Sequence, residues 1–188
     1  MANLDAPRGF TLIQSSSARP FRRYYKDASV ILGVGDPVIR ATNSSSPEGY
    51  PEVTRATTGA AITGIVMGRE PDRADLSKLH VAAADACYVL VCDDPNALFE
   101  VQDNGGATGL VVADIGEHVD SVAAINANTT TGRSNYELDT EAQATDNTFR
   151  LESLVQREDN AVGANAKWIV SVNLHTEANA SASNKTEV

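Results

Sequence analysis

Three histidines, two cysteines and one pair of adjacent aspartates are the residues of this sequence best suited to chemistry. His80, His118 and His175 lie far apart, and none has a second ligand at the short spacing of a zinc site. H-E-x-x-H and C-x-x-C are both missing, so no catalytic metal is expected. Cys87 and Cys92 have an odd spacing, which on one straight strand places them on opposite faces and opposes a disulfide. They read as small core or half-buried thiols of a protein made in a reducing cytoplasm. Asp93 and Asp94 would point to opposite faces of a strand and make a poor acid and base pair. With Pro95 and Asn96 they read as turn chemistry instead. The GVGDP stretch at residues 33–37 lacks the third glycine and the helix that a dinucleotide site needs, so its glycines read as a β-bend. No G-x-S-x-G elbow, P-loop or S-x-x-K motif occurs. No enzyme activity and no cofactor are expected; the residue chemistry is that of a binding or structural module.

The elements that would carry such a module are short strands. Residues 87–102, CYVLVCDDPNALFEVQ, hold two apolar, β-favouring runs on either side of the DDPN turn, and Asn104-Gly105 follows at once. This reads as a hairpin at the centre of a meander. Further strands are expected at residues 22–32, interrupted by Gly33 and Gly35, and at 38–41, weakly at 52–58 and more strongly at 60–67. Others fall at 110–113, with a segment at 123–125 and a brief alternation at Tyr136 and Leu138. Residues 149–155 carry apolar side chains at 149, 151, 154 and 155, so a strand there requires a bulge. Residues 168–174 alternate cleanly, with Trp168, Val170, Val172 and Leu174 on the core face. Residues 70–78 have room for one helical turn, whereas 43–51 and 126–134 read as polar loops. No long amphipathic pattern occurs, and the fold class is all-β: a compact β-barrel or β-sandwich, jelly-roll-like. Three segments are expected: an extended basic N-terminal arm at 1–25, a β-barrel or sandwich domain at 26–175, and a flexible polar tail at 176–188, too poor in apolar residues to order itself.

At 188 residues the chain suits one core, built mainly from Val, Ile, Leu and Ala because aromatics make up only 5%. A net charge of −10 disfavours nucleic acid and anionic membranes as partners. The charge is uneven: residues 1–26 hold five bases against Asp5, a net of +4, while the remainder holds 10 bases against 24 acids, a net of −14. No signal peptide is expected, since the first residues are polar, and the apolar stretch at 59–68 is too short to span a bilayer.

Several stretches belong together as a set. They are MANLDAPRGF at the start, GDPV at 35–38, GYPEVTRAT at 49–57 and ITGIVMGREPD at 62–72. To these are added YVLVCDDPNALFEVQ at 88–102, TTTGRSNYELD at 129–139 and LVQREDNAVGANAKWIVSVNLH at 154–175. The set resembles the head decoration, or capsid cement, proteins of tailed bacteriophages, from residue 1 to about 175. The resemblance implies a structural virion protein on the outer surface of a capsid whose major capsid protein has the HK97 fold. Such a protein clasps neighbouring capsomers against the pressure of packaged DNA and self-associates, here as a homo-dimer or homo-trimer.

The N-terminal arm is the expected capsid-binding element. Phe10, Leu12 and Ile13 would fill a groove on a neighbour, and Arg19, Arg22 and Arg23 would meet carboxylates in bidentate geometry. The loops at 43–51 and 126–134 are further contact candidates. A rival reading is another virion component, in the tail, in a fibre or as a glycan-binding head module, for which Tyr24, Tyr25 and Tyr50 are the available aromatics.

Overall fold

A computed structural model describes residues 3–71, 75–85, 87–106, 109–122, 126–140 and 147–176. The chain is all-β, with strands β1 (Thr11–Gln14), β2 (Phe21–Lys26), β3 (Pro37–Ser45), β4 (Pro51–Arg55) and β5 (Gly64–Arg69) in the first part. β6 (Tyr88–Cys92), β7 (Leu98–Gln102), β8 (His118–Val119), β9 (Phe149–Leu154) and β10 (Lys167–Val172) follow.

Five strands close a barrel in the order β2-β4-β3-β5-β6. All its pairings are antiparallel except β2 with β4, which run parallel through Tyr25 opposite Glu52 and Lys26 opposite Val53. Tyr24, Val38, Val53, Val66, Val89 and Val91 fill the interior together with Leu32 and Val81. Lys26 is also fully buried; its ammonium donates to the carbonyls of Val30 (2.7 Å), Ala82 (2.9 Å) and Ala83 (3.0 Å). Burial lowers its pKa, and the three carbonyls replace the water it has lost. Close packing of β5 on β6 requires Gly64, because a Cβ there would lie 2.1 Å from the Cys92 carbonyl oxygen.

The other five strands form an antiparallel sheet in the order β1-β7-β10-β9-β8. The main core lies between this sheet and the barrel wall. Phe99, Val101, Phe149, Leu151, Trp168, Val170 and Val172 from the sheet meet Ala56, Ile62, Ile65 and Cys92 from the barrel side. Each Val, Leu, Ile or Phe among them contributes roughly 1.5–3 kcal/mol by leaving water. The bulge that the spacing of residues 149–155 demands is present: Ile169 faces Ser153 and Val170 faces Leu151, so Glu152 is the extra residue. Cys87 borders the barrel interior and Cys92 the main core, and both are free thiols.

Several expectations need correction. β6 and β7 do not form a hairpin. Val89 and Val91 face the barrel interior while Phe99 and Val101 face the main core, so the Asp93–Asn96 turn carries the chain from one sheet to the other. Residues 110–113 are not a strand; a short 3-10 turn, Val112–Asp114, stands there, with Val111 N–H donating to the Asp114 carboxylate at 2.8 Å. The polar stretch from residue 43 is partly strand, because β3 runs on to Ser45 before turning. The segment expected at 123–125 lies outside the described residues, as does the tail from 177 onward. Thr176 itself is held, its amide donating to Ile62 O at 2.9 Å.

The N-terminal stretch is extended but lies on its own body. β1 pairs with β7, β2 is a barrel strand, and the expected arm boundary at 25 falls inside β2. Phe10, only 1% exposed, stacks on Phe149 at 4.4 Å and meets Phe99 edge-on at 6.5 Å. An aromatic ring gains more from its own core than from waiting in water for a neighbour. Gly35 (φ +98°) receives the stretch there, its carbonyl accepting from Phe10 N–H at 3.0 Å.

Candidate interaction surface

Alternation along β2, FRRYYK, decides what this strand presents. Tyr24 and Lys26 turn into the barrel, so Phe21, Arg23 and Tyr25 turn outward. The register with β6 sets Arg23 opposite Leu90 and Tyr25 opposite Tyr88. Phe21 and Leu90 remain 47% and 42% exposed, the costly arrangement for large apolar side chains in a lone monomer.

Arg23 is the centre of this surface. Its guanidinium lies over the Tyr88 ring at 3.7 Å and 5.0 Å from the Tyr50 centroid, and its Nη2 pairs with Glu70 Oε1 at 2.6 Å. Tyr25 and Tyr50 each meet Tyr88 edge-on, at 5.4 and 5.3 Å. The Tyr88 hydroxyl donates to the Glu48 carboxylate and lies 3.2 Å from Ser46 Oγ. That contact holds the Glu48 carboxyl below its ordinary range and raises the Tyr88 phenol. The electron-rich ring faces attract the guanidinium and favour this placement of Arg23.

The corner between β1 and β2 is pinned by the Asp93-Asp94 turn. Asp94 Oδ2 accepts from Ser15 Oγ (2.6 Å), Ser16 N (2.7 Å) and Ser17 N (3.0 Å). Burial pushes the Asp94 carboxyl up, but these bonds and that from the Asn96 amide outweigh it and bring it down to about 2. Asp93, itself buried, accepts from Tyr24 Oη at 2.8 Å and pairs with Arg22 Nε at 3.1 Å.

The residues expected to touch a capsid therefore part company. Phe10 is core and Leu12 is half-buried against it, while Ile13 is 48% exposed on β1. Arg19 is exposed at the corner, Arg22 is tied to Asp93, and Arg23 sits on the tyrosines. Of the three tyrosines named for a glycan site, Tyr25 and Tyr50 reach this surface and Tyr24 does not. Tyr88, Leu90, Glu48 and Glu70 were not among the expected site residues; the alternation of YVLVC marks Tyr88 and Leu90 as one face, but nothing local marks that face as outward.

Among the described residues, no group of three or more His, Cys, Asp or Glu side chains is placed to hold a metal ion, and no helix is long and apolar enough to cross a membrane. No protein-family model matches the chain, nor does any curated protein or solved structure.

Proposed function

We propose that this protein is a structural virion component that binds the outer surface of an HK97-fold phage capsid and clasps neighbouring capsomers, docking through the outer face of β2 and β6. The observation that carries this is the exposed strip of Phe21, Arg23 and Leu90 bordered by Tyr25, Tyr50 and Tyr88. Tyrosine and arginine dominate the residues that carry protein–protein binding energy, and exposed Phe and Leu beside them provide apolar area to bury. Arg23 and the exposed Arg19 also put cations on an acidic protein where capsid carboxylates would meet them. Repetition over a shell, with self-association as a dimer or trimer, turns modest single contacts into tight decoration. The resemblance of the sequence to phage decoration proteins points the same way, and the role requires no catalysis.

Deleting residues 1–23 is a poor test, because it removes β1, half of β2 and Phe10. The better variant is Phe21→Ser with Arg23→Glu in the full chain, measured by co-sedimentation with expanded shells of the parent virus. Loss of about tenfold or more in affinity is expected, as for removal of central interface residues. Undiminished decoration by the variant, or failure of the wild type to bind shells, would overturn the reading. The gathered tyrosines also favour the glycan-binding alternative, but the Tyr88 face is covered by Arg23. Glycan binding with no shell binding would promote it.

A further inference from the structure

A second surface, unconnected with the one just described, lies on the open sheet. Phe99 and Val101 of β7 face the main core, so Glu100 and Gln102 face the other way. They floor a groove of about 690 Å³ between the N-terminal stretch, which contributes Arg8, and the segment carrying Asn165 and Lys167. Its walls are tied together: Asn3 Nδ2 donates to the carbonyls of Ala161 (2.8 Å) and Ala164 (2.9 Å), and Ala161 N–H donates back to Asn3 Oδ1 at 2.9 Å.

The charges in this groove are not settled internally. Arg157 is committed, forking onto Glu100 at 2.8 and 3.2 Å and lying 3.5 Å from Asp159. Arg8, Arg133 and Lys167 also line the groove, and their side chains make no hydrogen bond or ion pair with any described residue. In a chain with 25 acids and 15 bases, cations should find carboxylates easily, yet three without partners converge here. Asn165 adds a second irregularity. It is the one non-glycine residue of positive φ (60°) among those described, and its side-chain amide makes no hydrogen bond with any of them. The backbone conformation aids the fold, since the Asn165 N–H donates to Asp103 at 2.7 Å, but it leaves the amide beside the groove.

We propose that this groove binds an extended acidic segment of a partner protein, with Arg8, Arg133 and Lys167 receiving its carboxylates. The unpartnered cations call for an anionic occupant. They come from three separate parts of the chain and line a volume too large for a single small anion, but within the range of a few residues of extended peptide. A phosphodiester carries a charge at every unit and must place some beside Glu100 and Asp159, whereas a peptide can set its carboxylates at Arg8, Arg133 and Lys167 and neutral residues beside those two acids. The free Asn165 amide offers a donor and an acceptor to a peptide backbone.

The test is fluorescence anisotropy with the full chain at low salt. The probes are a labelled peptide of alternating Glu and Thr, the same peptide with Gln for Glu, and an oligothymidylate of matching length. The Glu peptide should bind about tenfold tighter than the Gln peptide and the oligonucleotide, as electrostatic complementarity of a few pairs predicts. Arg8→Glu combined with Lys167→Glu should remove about tenfold of that affinity, and Arg133→Glu alone, which keeps both wall cations, about threefold. Arg40→Glu, at an exposed barrel position outside the groove, lowers the net charge as much as Arg133→Glu does and should change binding less than about twofold. Equal binding of the Glu and Gln peptides, full affinity in both groove variants, or an oligonucleotide that binds as tightly as the Glu peptide would each overturn the proposal.

Discussion

Replacing Asp36 with Asn should make the protein less sensitive to alkaline pH, and the size of the effect follows from one buried carboxyl. Asp36 stands at the β-bend that leads into β3 and is fully buried. Its Oδ2 accepts from Gly33 N–H at 2.9 Å, while Oδ1 has no hydrogen-bond partner. Burial raises this carboxyl to about 6; the Ser134 hydroxyl, the Gly33 amide and the Arg55 charge pull the other way without cancelling it. In the unfolded chain the same group ionises near 3.8. The folded state therefore holds its proton longer, so stability is fully present below about pH 3.8, declines as pH rises, and has lost this contribution above about pH 6. The gap corresponds to about 3 kcal/mol, of which about 2 kcal/mol falls between roughly pH 4.5 and 7.5. Asn cannot ionise. Urea unfolding followed by the emission of Trp168, the only tryptophan and fully buried, gives the stability of both proteins across this range. The variant-minus-wild-type difference should climb by about 2 kcal/mol from acid to alkaline pH. Because only the change with pH is read, any constant cost of placing an amide there drops out. A difference flat to within about 0.5 kcal/mol would show that Asp36 does not carry an elevated pKa and would refute the reasoning.

Two further substitutions test how the fold is held. Phe10→Ala should cost about 3–5 kcal/mol and lower Tm by about 10 °C, whereas Ile13→Ala three residues later should stay within about 0.5 kcal/mol; equal small effects in thermal melts would mean that the N-terminal stretch is not part of the core. Asp103→Ala should cost about 3–5 kcal/mol in urea unfolding, because this buried carboxylate accepts from the amides of Gly105 (3.0 Å), Asn165 (2.7 Å) and Leu110 (3.4 Å) and from Trp168 Nε1 (3.1 Å), all of which would be stranded. A loss under about 1 kcal/mol would sink that account.

What the sequence disclosed was local. Period-two alternation at Trp168, Val170 and Val172 marked a core strand, the broken spacing of residues 149–155 marked a bulge, and the absence of any helical period marked an all-β chain. What it withheld was pairing. Asp93, Asp94, Pro95 and Asn96 have the same turn chemistry whether the chain doubles back or crosses to another sheet, so the supposed hairpin could not be told from a crossover. Phe10 stands as an isolated apolar residue in a polar stretch, and nothing nearby announces Phe149 as its partner. The tyrosine surface failed to stand out for the same reason: Tyr25, Tyr50 and Tyr88 come from separate strands and a turn, and only register brings them together.

The two aspartates of the Asp93–Asn96 turn also hold the proposed docking surface in shape. Asp94 gathers the hydroxyls of Ser15 and Ser16 and the amides of Ser16 and Ser17, and Asp93 takes both Tyr24 and Arg22, so the corner bearing Arg19, Phe21 and Arg22 is fastened to the junction of the two sheets. A free arm would lose conformational entropy at each ordered residue on binding, about 1–2 kcal/mol of backbone freedom apiece. A corner already held loses little, so a surface of modest area can retain most of its contact energy. Arg23 is held likewise, stacked on Tyr88 and paired with Glu70 before any partner arrives. Decoration of a shell by this chain would therefore be the docking of a rigid barrel wall rather than the threading of a flexible arm, and its strength should depend on the side chains of β2 and β6 more than on the length of the N-terminal stretch.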